Sequence, residues 1–471
     1  MLRLPSKQGF GIQPNLALPS PYAEALFGCG LDLMLRSKMT MALMKKDVME
    51  MSQNMRIIND PDFKFACLCA FDAFKFRNKV IPYHLNDVFF LDLPIRTSSP
   101  GLPWQPDYKT KGEVMDCSLA RNSIRWYWHA VKRGDEMIPS DTKVLYRSHL
   151  TDDVPKIRAV YGYPVTMTLG EAQFALPLIE EFKKGQTPIA YGFDMVTGGA
   201  MRLRRALLKF KHYNCIDFKR FDKTVSKQLI EIAFNILEQN IDFTSYRDHG
   251  IPDARRLYRA WNHCIDYFIN TIIRLPNGDR FKKSAGIPSG SYFTQIVGSI
   301  VNYICLVYAC VKITGKVPLY IKVFGDDSVF ATDVGIDVFD FYREVYKLGM
   351  EINLKKTVIT ADVDKVDFLG FCIAGGFPQR STRKWMSALF YPEYPDKTFA
   401  DFQSRALGLL YANHGVNPDF DKIARCIIGV SPFSVCLSRD FARYLRNIGI
   451  DPGGLSTLPP SRREFLFSLL G

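Results

Sequence analysis

The stretch from Tyr320 to Phe330, Tyr-Ile-Lys-Val-Phe-Gly-Asp-Asp-Ser-Val-Phe, admits few folds. Apolar and β-branched residues flank a Gly-Asp pair on both sides, the pattern of a half-buried hairpin with a two-residue turn. Gly325 can take the positive φ that the first turn position needs. The tip then carries Asp326 and Asp327 on rigid backbone. Adjacent carboxylates repel, and in a confined site one stays protonated unless a cation joins them. A solvated turn also uses Asp and Gly, so the rest of the chain has to decide.

A second pair of acids lies upstream. Tyr213 to Phe218 reads as a buried strand with Asp217 near its end, and Asp222 follows in the next turn. A buried strand has little reason to end in an acid unless something pairs with it. The spacing predicts a helix after that turn, with Thr224 placed to cap it and Leu229, Ile232, Ala233, Ile236 and Leu237 as its apolar stripe.

Cations and Gly-containing loops accompany the acids. Lys156 and Arg158 are two apart in a strand-like segment beginning Val154-Pro155, so both point to one face and could hold a triphosphate or a nucleic-acid backbone. A solvated edge strand guarded by charge is the plainer account. Ser98-Ser99-Pro100-Gly101 forms a stiff loop that lets another backbone approach closely and can donate hydrogen bonds to phosphate. The loop Gly286 to Thr294, containing Ser289 and Gly290, runs into an apolar helix from about Phe293 to Lys312 and offers backbone N–H groups and hydroxyls. Residues 22–57 read as helical, Asp337 caps a helix closed by Gly349, and residues 366–373 read as one strand interrupted by a glycine. The region from 380 onward is helical and basic, with Arg439, Arg443 and Arg446 spaced to share one helical face.

Composition narrows the class. A 471-residue chain with 47% hydrophobic and 23% charged residues is globular and long enough for two or three subdomains. A net charge of +13 suits a polyanionic partner. Eleven scattered cysteines lack metal-knuckle spacing and read as reduced intracellular thiols. The run from Ile296 to Val311 contains Gly298, Ser299 and Asn302, which favours a buried core helix over a membrane span.

Taken in order, the Pro-Gly loop, the basic strand, Asp217 with Asp222, the Ser-Gly loop with Thr294, Gly-Asp-Asp, Lys356 and Phe-Leu-Gly resemble the motif series of viral RNA-dependent RNA polymerases. Lys156 to Pro164 and Gly286 to Gln295 are most similar to the polymerases of partitivirus-like double-stranded RNA viruses. The resemblance implies an α+β right-hand polymerase fold with fingers, a palm (an antiparallel sheet backed by helices) and a thumb. It implies an N-terminal extension over 1–60 bridging fingers and thumb, fingers over 61–210 and 235–284, palm over 211–234 and 285–379, and thumb over 380–471. It also implies replication and transcription of a viral RNA genome by two-metal nucleotidyl transfer.

On the same resemblance, Asp217, Asp326 and Asp327, with the Phe218 carbonyl, hold two Mg2+ ions, with Mn2+ as a substitute. Lys356 donates a proton to pyrophosphate. Lys156, Arg158, Asp222, Ser289, Gly290, Thr294 and Asn302 bind the nucleotide, and Ser98, Ser99, Pro100 and Gly101 contact the template. Partners are template and nascent RNA, nucleoside triphosphates and a viral capsid protein, with no membrane, in the virion interior and host cytoplasm. Gly298 departs from the pattern, because many relatives carry Asn or Asp there. A reverse transcriptase shares the paired acids, but Asp222 with the Ser-Gly loop favours ribonucleotides. A non-enzymatic RNA-binding protein would explain the charge and leave the acids unexplained.

Overall fold

The computed structural model describes the chain except residues 12–16, 53–56, 153–155, 249, 437–441, 443–444, 447–449 and 471. Val154, Pro155, Arg439 and Arg443 therefore lie outside the described residues, and Arg446 is exposed.

A four-stranded antiparallel sheet holds the middle of the molecule, in the order Tyr320–Phe324, Asp327–Thr332, His212–Cys215, Val358–Thr360. Alternation along its strands feeds two cores, because successive side chains leave a strand on opposite faces. Phe330 points into the larger core and stacks on Phe341 of the helix Val338–Lys347, ring centroids 5.8 Å apart. Val329, Ala331, Tyr213 and Cys215 point the other way, into a core shared with Phe368, Trp385 and the C-terminal helices. Those helices are Thr382–Phe390, Phe399–Asn413, Pro418–Ile428 and Arg462–Ser468. The larger core is backed by the helix Thr294–Thr314. This is the one helix among the described residues apolar and long enough to cross a membrane, and 78% of its apolar window is buried inside the protein.

A second, five-stranded sheet runs in the order Leu2–Leu4, Arg280–Lys282, Ile272–Arg274, Thr142–Ser148, Ile157–Gly162. The last strand is an edge. Ile157, Ala159 and Tyr161 are buried while Lys156 and Arg158 are exposed, so the two cations do share a face.

Local signals place several boundaries well. Asp337 accepts from the N–H groups of Phe339 and Asp340, and Gly349 takes φ +85° after that helix. Others differ. Residues 22–57 are not one helix. Gly28 and Gly30, at φ +76° and +87°, separate Pro21–Phe27 from Met41–Met49, and Leu35–Arg36 between them forms a strand paired with Leu150–Thr151. Ser226, not Thr224, caps the helix Lys227–Glu238, because Thr224 is spent closing the short helix Phe221–Thr224. Residues 366–373 are a hairpin, since Leu369 and Gly370 both take positive φ and turn the chain back. All eleven cysteines are free thiols.

Residues 20–37 join distant parts of the chain. The Arg36 guanidinium donates to the carbonyl of Tyr391 at 2.6 and 2.9 Å and to that of Ser148 at 2.8 Å. Ser20 bonds Asp396 at 2.6 Å. One N-terminal segment thus clips the five-stranded sheet to the C-terminal helices.

Glu171, in the helix Val165–Phe182, is fully buried, and among the described residues no cation stands beside it. Its carboxyl oxygens meet the Ser291 hydroxyl at 2.8 Å and the Tyr292 N–H at 2.9 Å. Burial outweighs those two hydrogen bonds and pushes the carboxyl up to about 8 from an ordinary 4.5. The folded state therefore binds the proton more tightly than the unfolded chain. The stability this group contributes is complete below 4.5 and is lost as pH rises through about 8. Thermal melting between pH 6 and 9 should show wild type losing more stability with rising pH than Glu171→Gln, which keeps one acceptor and carries no charge.

Candidate active site

The acid hairpin turns as its sequence dictates, with Phe324 paired to Asp327 and Gly325 at φ +65°. The turn is held from behind by the helix Thr294–Thr314. The Ser299 hydroxyl accepts from the N–H of Gly325 at 2.8 Å, and the Asn302 amide donates to the Gly325 carbonyl at 3.0 Å. Asn302 also reaches the Asp327 carbonyl at 3.4 Å. Gly298 explains how the helix comes so close. A Cβ there would lie 3.3 Å from the Gly325 Cα, so a longer side chain would displace the turn.

Sheet register brings the acids together. Phe330 pairs with Asn214 across the antiparallel strands, and three more steps toward the turn set Asp327 opposite Asp217. The Ser328 hydroxyl, 3.5 Å from the Ile216 carbonyl, continues that register beyond the last ladder pair. Asp217 is clasped from its other side. Its N–H donates to the Thr357 hydroxyl at 3.2 Å and its carbonyl accepts from the Asn353 N–H at 2.7 Å.

The carboxylates feel one another. Enclosure by protein, then the charges of Asp326, Asp217 and Asp367, push Asp327 up to about 7. Its outer edge remains open to solvent, so it lines a cleft and water tempers that rise. Burial and Asp326 raise Asp217, against the Asn353 amide and the nearby Lys356 and Lys156 charges. Asp222 is raised chiefly by burial, against the charges of Lys223 and Arg158. Arg158 lies across the cleft with its guanidinium 4.0 Å from the Asp326 carboxylate. Acids and cations thus share one cleft, although they come from two sheets.

Among the described residues no three His, Cys, Asp or Glu side chains form a ready metal cage. The donor set is still suited to Mg2+, which binds one or two carboxylates and takes its other oxygens from water and substrate phosphates.

The Ser-Gly loop lies against the basic edge strand. The Ser289 hydroxyl accepts from the Tyr161 N–H and donates to the Ala159 carbonyl, each at 3.3 Å. Gly290 is obligatory there, since a Cβ would fall 1.8 Å from the Tyr161 carbonyl oxygen. The Thr294 hydroxyl lies 2.6 Å from the Pro288 carbonyl and 2.9 Å from that of Ser291, so it shapes the loop.

Two expectations need correction. Asn302 is completely buried behind the acid hairpin. It supports the turn and does not face the space where a nucleotide would lie. Pro100 and Gly101 are also buried. The backbone that approaches Gly101 belongs to this chain, with Tyr163 O and Pro164 2.7–2.9 Å from where its Cβ would be. Ser98 and Ser99 stay half-exposed on that loop, and Lys356 is exposed on the turn between Asn353 and Thr357.

Sequence reasoning missed Ser299, Asn353, Thr357 and Glu171. Ser299 and Glu171 carried a signal, each as a polar residue inside an apolar helix. Asn353 and Thr357 contact Asp217 across more than a hundred residues, and their own neighbourhoods look ordinary.

The family described as "Viral RNA-dependent RNA polymerase" matches residues 18–420. The RNA-directed RNA polymerase of Atkinsonella hypoxylon virus (isolate 2H) is 27% identical over 329 residues, covering 60% of this chain and 49% of that protein. That of Cryptosporidium parvum virus 1 (strain KSU-1) is 33% identical over 288 residues, covering 58% and 50%. The chain thus spans about half the length of these relatives. A solved Sicinivirus 3Dpol RNA-dependent RNA polymerase superposes over 100% of both chains with a TM-score of 0.75 at 13% identity, which establishes the right-hand fold alone. With residues 18–420 of 471 matched and that fold in place, the chain belongs to the viral RNA-dependent RNA polymerase family.

Proposed function

We propose that this chain synthesises RNA on an RNA template from nucleoside triphosphates. The observation that carries the reading is the meeting of Asp217, Asp326 and Asp327 with Arg158 in one cleft. A nuclease needs the acids alone. Transfer of a nucleotidyl group from a triphosphate also needs cations on the leaving side.

Asp217, Asp326, Asp327 and the Phe218 carbonyl would hold two Mg2+ ions, or Mn2+ in their place. Such ions lower the pKa of the attacking 3′-hydroxyl and neutralise the triphosphate. Lys156 and Arg158 bind the triphosphate, and Lys356 donates a proton to the departing pyrophosphate. Asp222 accepts a hydrogen bond that depends on the ribose 2′-hydroxyl, the group that distinguishes RNA from DNA. Ser289, Gly290 and Thr294 build the wall beside that ribose, and Ser98 and Ser99 touch template phosphate. We assign fingers, palm and thumb the boundaries expected from the sequence, with the extension 1–60 as the bridge, a reading that the contacts of Ser20 and Arg36 support. We assign its work to the virion interior and host cytoplasm, with a viral capsid protein as partner, as the resemblance implies.

Three measurements test this. Asp326→Asn should lower RNA synthesis by about a thousandfold or more while RNA binding survives, and normal synthesis would remove the metal assignment. Asp222→Ala should lose discrimination between ribo- and deoxyribonucleotides, and unchanged discrimination would reject its ribose role. Asn302→Ala should cost about 1–3 kcal/mol of stability and slow turnover without raising the KM for nucleotide. A rise confined to KM would restore Asn302 to the nucleotide site.

A further inference from the structure

A buried ion pair lies directly behind the proposed ribose site, outside every motif discussed above. Asp47, in the helix Met41–Met49, is buried, and both its carboxylate oxygens are engaged. One accepts from the Ala159 N–H at 3.0 Å, on the open edge of the strand that carries Arg158. The other takes the ammonium of Lys223, which follows Asp222 in the short helix Phe221–Thr224. Lys223 is itself buried and bonds Glu50 as well, at 3.2 Å. Arg220, which opens this turn at φ +52°, pairs with Glu351 at 2.8 Å and with Glu50 at 3.8 Å. A non-glycine residue at positive φ persists only when its surroundings hold it.

Lys223 is the charge with the most reason to pair with Asp222. They are neighbours in one turn, and a buried ammonium must find an anion. A carboxylate already bonded to an ammonium has fewer lone pairs left for a ribose. Two other acids, Asp47 and Glu50, occupy Lys223 instead.

We infer that Asp47 is a positioning residue for ribose selection, engaging the Lys223 ammonium so that its hydrogen bonds go to Asp47 and Glu50 and not to Asp222, and locking the Asp222 turn to the Arg158 strand. The same carboxylate fixes both contacts, so the ribose and triphosphate sides of the site keep one relative position. This inference rests on the ribose role proposed for Asp222.

The test compares kcat/KM for ATP and dATP on one RNA template in the full chain. A ratio taken within one preparation does not depend on how much of it is folded. Asp47→Asn keeps an acceptor for Ala159 but no longer neutralises Lys223, and the ATP/dATP ratio should fall about tenfold, the scale of one lost charged hydrogen bond. The double variant Asp47→Asn with Lys223→Met should recover most of the ratio, because the ammonium that Asp47 no longer holds is gone. Lys223→Met alone should keep or raise the ratio. A wild-type ratio in Asp47→Asn, beside a lowered one in Asp222→Ala, overturns the inference and spares the ribose reading. So does a Lys223→Met ratio as low as that of Asp222→Ala. An unchanged ratio in Asp222→Ala ends both.

Discussion

The turn at Gly325 can stand where it does only because the helix behind it lets it come within van der Waals reach. Gly298 removes the side chain that would intervene, and Gly325 supplies the positive φ of the turn. Ser299 and Asn302, three residues apart on the same helical face, then take the N–H and carbonyl of Gly325. Both buried backbone groups of Gly325 are thereby satisfied, which keeps their desolvation cost small. The acid tip is therefore fixed to the core helix Thr294–Thr314.

From that anchor the electrostatics follow. Asp327 starts a strand whose ladder with His212–Cys215 leads toward Asp217, so a second carboxylate comes within reach of its charge. Like charges at this spacing raise one another's pKa unless cations stand near. The protein supplies Arg158, Lys156 and Lys356, all solvent-exposed, from two other elements. Exposed charges keep their hydration and stay available to a phosphate, whereas a fully paired buried set would not.

The edge strand bearing Arg158 shows how the parts are held in relation. An open sheet edge presents unpaired N–H and carbonyl groups. Here Asp47 takes the Ala159 N–H while Ser289 takes the Tyr161 N–H and the Ala159 carbonyl. The strand is finished by side chains from an N-terminal helix and from the loop before the core helix. Its cations are thereby registered against the acids without a continuous sheet between them.

Much of this was legible in the residues alone. Alternation and a Gly-Asp pair determined the hairpin, and spacing by two determined that Lys156 and Arg158 share a face. The Asp337 cap and the apolar core helix were equally local, because φ preferences and side-chain periodicity act over a few residues. What tertiary structure decided was which surfaces meet. Asn302 turned inward to the hairpin, and the Pro-Gly loop received Tyr163 and Pro164 of its own chain. Asp47 found Lys223 across 176 residues. Such contacts depend on how whole sheets and helices pack, and no nearby residue carries their signature.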